Sequence, residues 1–206
     1  AQKQYMQSMH LSGNALLDLI NDILDFSKIE AGKLEINPEP ANLYELVEQA
    51  AEVVKYKINE KGLEFLVHIS SDIDQLVSVD SVRLRQVLVN LLSNAVKFTE
   101  KGEIELFIEQ RKTDFQEGKG HFCFSVRDTG IGISEINQKK IFEAFSQEDS
   151  SITRKYGGTG LGLTISNKLL GMMGSKLELE SQVGQGSKFF FSLELEVEKG
   201  EEKNYD

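Results

Sequence analysis

Apolar residues recur every three or four positions in five stretches of the chain, and this spacing predicts five helices. The predicted helices cover Gln2–Ala31, Leu43–Lys61, Ser81–Thr99, Ser134–Phe145 and a last stretch from Leu161 to Met173. Each pattern has one apolar face and one polar face. A helix of this kind is stable in a folded protein only when another layer covers its apolar face.

Between the helices, apolar and polar residues alternate as they do in half-buried strands. The predicted strands are Lys33–Ile36, Leu63–Ile69, Leu76–Val79, Glu103–Gln110, His121–Asp128, Lys176–Ser181 and Ser187–Glu196. Short polar turns join several of them, among them the hairpin loop Lys112–Gly120 and the turn Val183–Gly186. We therefore expect an α+β fold, an α/β sandwich with helices on one face of a mixed, largely antiparallel sheet, and not a doubly wound parallel sheet.

The first helix has an apolar seam that steps alternately by three and four residues, which is typical of helices in a bundle. The seam consists of Met6, Met9, Gly13, Leu16, Ile20, Ile23 and Ser27, and Leu17 and Leu24 widen it. One helix cannot bury such a seam by itself, so we expect it to associate with a second copy. Packing of the seam on the chain's own globular part is the alternative. Because the chain begins inside this pattern, we expect a piece of a longer protein.

Breaks in the pattern predict how the chain is divided. Gly32 is a plausible end for the first helix, and Pro38 and Pro40 interrupt the pattern that follows. We therefore expect a helical segment over residues 1–33, a globular domain over residues 34–198 and a charged, disordered tail over residues 199–206. Residues 147–160 are polar and rich in glycine, so we expect a mobile segment there.

The third helix, which begins at Asp80 or Ser81, carries an unusual polar face opposite its apolar stripe. Gln86, Asn90 and Asn94 follow one another at one-turn spacing, and Lys97 comes three residues later. Asparagine is a weak helix former, costing roughly half a kcal/mol relative to alanine. Amide oxygens are hard, neutral ligands that suit Mg²⁺, and a lysine beside them can meet phosphate. Simple solvation of these side chains is the alternative.

Two glycine-rich loops follow predicted strands and are typical of phosphate or nucleotide contacts. The first covers Asp128–Ile133, and the second covers Gly157–Leu163 and opens a helix. Glycine allows the backbone to approach a ligand closely, and the amides of a helix N-terminus attract phosphate. The spacing matches neither a dinucleotide fingerprint nor a Walker loop. Asp128, at the end of an apolar strand, can accept a hydrogen bond from an amine such as that of adenine, or can simply initiate a turn.

The composition limits the partners that the chain can have. Its 206 residues are 40% hydrophobic, enough for one or two small domains with a core, and no run of about 18 apolar residues predicts a membrane span. The net charge of -10 argues against nucleic acid, and it requires that a nucleotide meet locally concentrated Lys and Arg. Cys123, the single cysteine, cannot form an internal disulfide, which fits a reducing compartment.

Four motifs in this order resemble those of the catalytic, ATP-binding part of a sensor histidine kinase. They are an asparagine box at Asn90–Phe98, a first glycine box at Asp128–Gly132, a phenylalanine box at Phe142–Phe145 and a second glycine box at Gly158–Leu163. In addition, Leu16–Ile36 resembles the second helix of the dimerisation domain with its linker. The resemblance implies a Bergerat-type α/β sandwich, preceded by one long helix, that binds Mg–ATP under a lid.

The resemblance also implies a role for individual residues. Asn94 is the implied principal Mg²⁺ ligand with Asn90 beside it, Lys97 contacts phosphate, and Asn90 and Lys97 together serve catalysis. Asp128 binds the adenine amine. The remaining implied ATP contacts are Phe98 near the nucleotide, Gly130 and Gly132 at the base, Gly158, Gly160, Leu161 and Gly162 at the lid hinge, and Arg154 and Lys155 in the lid, while Phe142 and Phe145 pack the lid base.

Asn90 also distinguishes branches of the wider fold. Related ATPases that resemble gyrase or chaperones place Glu there as general base, whereas a neutral Asn cannot deprotonate water. In the kinase branch the acceptor histidine attacks the γ-phosphate. The chain has no His-(Glu/Asp) stretch followed shortly by Pro, and His10, His68 and His121 fit structural or solvated positions better. We therefore expect the chain to bind Mg–ATP without phosphorylating itself.

The resemblance thus implies a protein-histidine kinase domain that acts in a phosphorelay. It implies transfer of the γ-phosphate of ATP to a histidine outside this chain, a homodimer formed through the first helix, and a response regulator receiver domain as partner. It also implies the cytoplasmic portion of a membrane-bound sensor. A nucleotide-sensing interaction module without phosphotransfer is the alternative, and an ATPase that lacks the glutamate base ranks below both.

Overall fold

The structure is a computed structural model that describes residues 2–111, 118–144 and 160–198. Its helices are α1 (Gln2–Glu30), α2 (Leu43–Lys61), α3 (Ser81–Phe98), α4 (Glu135–Gln138) and α5 (Gly162–Met172). Its strands are β1 (Glu39–Asn42), β2 (Glu64–Ile69), β3 (Leu76–Val79), β4 (Glu103–Arg111), β5 (Lys119–Asp128), β6 (Glu178–Gln182) and β7 (Gly186–Val197). Most of the loop predicted between β4 and β5, the segment predicted to be mobile and the charged tail lie outside the described residues.

The described strands form one mixed sheet in the order β1-β3-β7-β5-β4-β2, and β6 pairs with the first half of β7. Every pair is antiparallel except β2 with β4, which is parallel. The long antiparallel pair of β5 and β7 runs from Lys119 opposite Glu196 to Asp128 opposite Ser187. This pair forms the centre of the sheet and places Asp128 at its end. The predicted mixed, largely antiparallel sheet is confirmed.

The core lies between one face of the sheet and the helices α2, α3 and α5. Along β4 and β5 every second side chain faces this layer, and Phe122, Phe124 and Val126 are at most 1% exposed. Phe124 stacks on Phe191 of β7 with ring centroids 5.0 Å apart. Full burial of side chains of this size stabilises the fold by about 1.5–3 kcal/mol each. The alternation in the sequence therefore decides which face of the sheet carries the helices.

Local signals in the sequence set the ends of the two long core helices. Asn42 caps α2 by accepting hydrogen bonds from the amides of Tyr44 and Glu45, and Gly62 ends it in the left-handed conformation at φ 66°. Asp80 caps α3 by accepting from the amide of Arg83 at 3.0 Å. Such caps contribute about 1 kcal/mol each. They fix where the polar face of α3 begins.

Two sequence predictions differ from the structure, and one strand was not predicted. Residues 33–36 are not a strand, because Leu34 packs into the core as irregular chain. The strand lies at Glu39–Asn42, and it tolerates Pro40 because it is an edge strand. The helix predicted over residues 134–145 is helical at Glu135–Gln138, and the chain continues in turns as far as residue 144, the last described residue of this range. The strands β2 and β3 follow one another along the chain but lie far apart in the sheet, where β2 pairs with β4 and β3 pairs with β1 and β7.

The helix α1 has two parts with different surroundings. Its apolar side chains from Leu16 to Leu24 are all 37–58% exposed. Further along, Phe26 and Ile29 pack against the core, and polar side chains connect α1 to α3 and α5. The chain's own globular part therefore does not cover the seam along Leu16–Leu24, contrary to the alternative considered from the sequence. Among the described residues, no helix combines the length and the apolar character needed to cross a membrane.

Candidate functional site

The polar face of α3 forms the floor of the candidate site. Asn90, Asn94 and Lys97 are all partly buried, whereas Leu88 and Leu92 on the opposite face are fully buried in the core. From Asn90 to Phe98 the helix rises by about 12 Å. Gly162, from the described part of the second glycine loop, lies at the Asn90 end of this stretch, and the first glycine loop lies at the Phe98 end. Such a floor can hold phosphates along Asn90, Asn94 and Lys97 and a base near Phe98.

At the phosphate end, Asn90 lies between two residues of α5. Its Nδ2 donates a hydrogen bond to Oγ of Ser166 at 2.9 Å. Its Oδ1 faces Gly162, because a Cβ built on that glycine would come within 2.3 Å of the oxygen. The carboxamide therefore has a fixed orientation, with the amide hydrogens directed to Ser166 and the oxygen directed to the start of α5. The close contact leaves room for a Cβ at Gly162 only if the Asn90 carboxamide moves.

The first turn of α5 brings backbone amides to the same place. Gly160 has a positive φ of 71°, Leu161 is buried at 1% exposure, and Gly162 begins the helix. Among the described residues, no side chain caps this N-terminus, and the N-terminus of an eleven-residue helix attracts phosphate. Gly158, Arg154 and Lys155 lie outside the described residues, so their implied roles stay predictions.

Lys97 and Phe98 lie at the other end of the polar face. The Nζ of Lys97 is 4.8 Å from the centroid of the Phe98 ring. Partial burial lowers the pKa of Lys97 from its usual value of 10.5, because the charged form loses part of its hydration. The carbonyl oxygen of Phe98 accepts from the amide of Ile131 at 3.3 Å, which joins the end of α3 to the first glycine loop. A phosphate beside Lys97 would favour the charged form again.

Asp128 ends β5 as a buried carboxyl at 6% exposure. Its Oδ1 accepts from the amide of Gly130 at 2.8 Å. Burial raises the pKa of Asp128 above its usual value of 3.8, although the hydrogen bonds from the backbone of Gly130 and Ser187 and the charge of Arg127 oppose this effect. An acceptor in such an environment forms strong hydrogen bonds with an amine that enters the pocket.

The glycines of the first loop are required by contacts between backbone segments. A Cβ on Gly130 would lie 2.4 Å from the carbonyl oxygen of Phe98, and one on Gly132 would lie 2.0 Å from that of Gln182. Gly186, with φ 100°, has no room for a Cβ either, because that Cβ would lie 2.0 Å from the carbonyl oxygen of Asp128. The loop is thereby pressed between the end of α3 and the turn before β7. These contacts hold Asp128 in place, in addition to any role of the glycines toward a base.

The phenylalanine box lies beside the start of α5. Phe142 is partly buried, packs against the core, and its carbonyl oxygen accepts from Oγ1 of Thr164 at 3.1 Å. This contact supports a structural role for Phe142. Phe145 lies outside the described residues.

The three histidines are separate from this floor as far as the structure describes them. The ring of His68, on β2, stacks on that of Phe107 with centroids 4.9 Å apart. The Nδ1 of His121 is 3.9 Å from Sγ of Cys123, on the sheet face away from the helices. His10 lies on α1, where its side chain is not among those described. The interpretation of all three histidines as structural or solvated side chains stays a prediction.

The donor atoms at Asn90 and Asn94 fit a hard divalent cation. In the described ranges, no group of three or more His, Cys, Asp or Glu side chains is arranged to hold a metal ion. Mg²⁺ commonly uses one or two protein oxygens and completes its shell with waters and phosphate oxygens. The fixed Oδ1 of Asn90, beside the amides of α5, offers such an oxygen. The chemistry of these residues is therefore compatible with Mg²⁺ bound together with a triphosphate.

Some partners of the site residues could not be recognised in the sequence. Gln86, on the predicted polar stripe, is not part of the floor, because its Nε2 donates to Oδ2 of Asp25 on α1 at 2.8 Å. Ser166 contacts Asn90 from 76 positions away. Lys61, at the end of α2, donates to the carbonyl oxygens of Val96 and Thr99 and so caps α3. Contacts at such separations have no periodic signal in a single sequence.

Comparison with a family profile matches residues 79–197, which include α3, both glycine loops and α5. The profile is that of the histidine kinase-, DNA gyrase B-, and HSP90-like ATPases. All residues of the candidate site lie inside the matched range.

Individual proteins match over most of the chain. The signal transduction histidine-protein kinase BarA of Escherichia coli is 41% identical over 196 residues, which are 95% of this chain and 21% of BarA. The hybrid signal transduction histidine kinase B of Dictyostelium discoideum is 42% identical over 192 residues, 93% of this chain and 10% of that protein. The structure of full-length ShkA in complex with AMPPNP superposes with a TM-score of 0.80 at 35% identity, over 97% of this chain and 40% of that chain. The chain thus spans at most about a fifth of these curated relatives.

Proposed function

Because the chain belongs to the histidine kinase-, DNA gyrase B-, and HSP90-like ATPase family and is an ATP-binding catalytic domain of the sensor histidine kinase type, we propose that it presents Mg–ATP to a histidine outside residues 1–206. The observation that carries this proposal is the fixed orientation of Asn90 between Ser166 and Gly162. A neutral amide at this position binds and orients but does not activate water. The arrangement therefore favours transfer to a protein acceptor over hydrolysis.

The proposed binding mode assigns each end of the floor to one part of the nucleotide. The buried carboxyl of Asp128 accepts from the exocyclic amine of adenine, and the Phe98 side of α3 lies near the base. The amides at the start of α5 and the Nζ of Lys97 bind phosphate oxygens. The AMPPNP present in the similar ShkA structure supports a triphosphate ligand. Gly158, Arg154 and Lys155 are proposed to close over the phosphates as part of the lid.

Asn94 and Asn90 are the proposed holders of Mg²⁺, which neutralises developing negative charge on the phosphates when it is bound. The protein residues supply position. Asn90 is oriented by α5, Asn94 follows one turn along α3, and Lys97 supports the phosphates from the next turn. In phosphoryl transfer of this type, positioning and charge stabilisation supply most of the rate enhancement.

The remainder of the proposal concerns the complete protein. We propose residues 1–33 as part of a dimerisation helix bundle, residues 34–198 as the catalytic domain and residues 199–206 as a charged tail. The exposed apolar side chains from Leu16 to Leu24 support pairing of α1 with a second copy. A receiver domain of a response regulator is the proposed next acceptor of the phosphoryl group. The complete protein is proposed to be a sensor whose cytoplasmic portion contains this chain.

Calorimetric titration tests the binding mode. ADP and a non-hydrolysable ATP analogue are titrated with and without Mg²⁺ into the unmutated chain, Asp128→Asn and Asn94→Ala. We expect Asp128→Asn to weaken binding under both conditions, and Asn94→Ala to remove only the Mg²⁺ dependence. Lack of nucleotide binding by the unmutated chain would refute the proposal. Phosphoryl transfer is tested with a longer chain that includes the upstream helix, which should incorporate acid-labile phosphate, whereas residues 1–206 should not. Hydrolysis of ATP by residues 1–206 well above background would favour an ATPase instead.

A further inference from the structure

The hydroxyl of Ser166 lies in an otherwise apolar environment on the inner face of α5. Ser166 is 2% exposed, and its inward neighbours Ile165, Leu169 and Leu170 are buried apolar side chains. A buried hydroxyl destabilises a fold unless it forms a hydrogen bond. The bond that the structure shows is the one accepted from Nδ2 of Asn90 at 2.9 Å. The position of Ser166 therefore couples α5 to the candidate metal site.

This bond holds the nitrogen end of the Asn90 carboxamide. A serine hydroxyl can accept or donate a hydrogen bond, and in the structure it accepts from the amide nitrogen, so the amide oxygen is the end left for another ligand. Only the oxygen can bind a cation, because the NH₂ group carries positive hydrogens. With Nδ2 on Ser166, the oxygen lies toward Gly162, whose virtual Cβ is 2.3 Å from Oδ1 and 3.3 Å from Nδ2.

The inward turn of α5 contains another polar contact that serves as a comparison. Asn167, the next residue, accepts from the amide of Leu177 through Oδ1 at 3.0 Å and so holds the chain before β6. That contact is directed away from Asn90. Of these two neighbouring polar side chains, Asn167 contacts the segment before β6 and Ser166 contacts α3.

We propose that Ser166 is a positioning residue that holds the Asn90 carboxamide with its oxygen toward the Mg²⁺–phosphate site. The proposal rests on the proposed Mg–nucleotide site and adds to it a residue on the opposite helix. Ser166 does not touch nucleotide or metal. It acts through Asn90, and its loss should change the Mg²⁺-dependent part of binding only.

The test measures ADP affinity by calorimetry with and without Mg²⁺ for the unmutated chain, Ser166→Ala, Ser166→Thr and Asn167→Ala. Loss of a partner that orients a metal ligand typically weakens metal binding about tenfold or more. We expect Ser166→Ala to reduce the Mg²⁺-induced gain in ADP affinity by about tenfold, with Mg²⁺-free affinity within about twofold. Ser166→Thr, which keeps the hydroxyl, should retain most of the gain, and Asn167→Ala should retain all of it.

A second pair of variants separates positioning from general loosening of the two helices. In an Asn90→Ala background, Ser166→Ala should have no further effect on the Mg²⁺ dependence, because the side chain that it orients is absent. Equal weakening with and without Mg²⁺, or an additive effect in that background, would overturn the proposal. Urea unfolding of each variant confirms that the titrated protein is folded.

The same titrations distinguish this inference from the proposed function. If Asn94→Ala removes the Mg²⁺ dependence and Ser166→Ala preserves it, the metal site stands and the positioning role is wrong. If Mg²⁺ leaves the affinity of the unmutated chain unchanged, the proposed metal site itself is wrong.

Discussion

Replacement of Gly162 by alanine should have opposite effects on stability and on nucleotide binding. Gly162 is the first residue of α5, and its φ lies outside the positive range, so alanine can adopt the same backbone conformation. Exchange of glycine for alanine at a compatible position stabilises a protein by about 0.4–1 kcal/mol, because the unfolded chain loses freedom. The cost of the substitution falls on the carboxamide of Asn90, which is a side chain able to move.

The displacement of that carboxamide follows from the structure. The added Cβ would lie 2.3 Å from Oδ1 of Asn90, and contacts of this kind are essentially never shorter than 3.0 Å, so the oxygen must move by at least 0.7 Å. The other end of the amide is held by Ser166 at 2.9 Å, so the movement also disturbs that hydrogen bond. Mg²⁺ tolerates little change from its ligand distance of about 2.0–2.1 Å. A misplacement of about 1 Å at a reacting centre can reduce the rate about a hundredfold.

Two assays on the same variant measure both effects. Urea unfolding should show an unfolding free energy equal to or above that of the unmutated chain. Calorimetry should show that Mg²⁺-dependent affinity for ADP falls by about tenfold or more. Gly171→Ala is the matched control, because Gly171 lies in the same helix, is exposed and has no atom within 4 Å of its virtual Cβ. It should change stability in the same direction and leave binding unchanged.

A Gly162→Ala variant that binds Mg–ADP as tightly as Gly171→Ala would refute this reasoning. That result would mean that the oxygen of Asn90 can retreat without loss, and so that its close contact with α5 has no role in the site. A large loss of stability would contradict it as well, because the clash would then fall on the packing of α3 against α5 and not on one mobile side chain.

Three further predictions concern stability. Burial raises the pKa of Asp128, so the folded state binds this proton more tightly than the unfolded chain does, and the unfolding free energy falls as the pH rises through the raised pKa. In urea unfolding, Asp128→Asn should therefore be more stable than the unmutated chain near neutral pH. The difference should shrink toward acidic pH. Lys61→Met should lower the unfolding free energy by about 1 kcal/mol, because it removes the side chain that caps α3. Lys57 is exposed, so Lys57→Met should have little effect, and equal losses for the two variants would contradict the capping role. Leu88→Ala, at a fully buried position, should cost about 2–5 kcal/mol, and Val82→Ala, at 55% exposure, less than about 0.5 kcal/mol.

The helices show how much of the fold the apolar period predicts. The apolar period predicts one inward face on α2 and one on α3. The buried residues lie on these faces, six on α2 from Leu43 to Ile58 and seven on α3 from Leu84 to Val96. The period succeeds because each helix lies on one continuous layer. It fails at residues 33–36 and within residues 134–144. There, apolar side chains pack on the core from irregular chain or from tight turns, because a buried apolar side chain does not require its backbone to form a strand or a helix.

The sequence by itself determined the elements that carry the site and the residue types on them. Helical period, alternation and glycine placement are local properties, so the polar face of α3, the two glycine loops and Asp128 at the end of a strand were all evident in the chain. The resemblance to sensor histidine kinases depended on the order of the same local motifs, and comparison with known proteins confirmed that family.

Only the tertiary structure decided which side chains orient these groups. The contacts of Ser166 with Asn90, of Asp25 with Gln86 and of Lys61 with the end of α3 join positions 35 to 76 residues apart. They depend on the relative placement of α1, α2, α3 and α5, which the sheet order and the packing of the shared core determine together. Hydrogen bonds are short-ranged and directional, so they form only after packing has brought their partners to within about 3 Å. For that reason Asn90 is oriented by a helix whose sequence gives no sign of the contact.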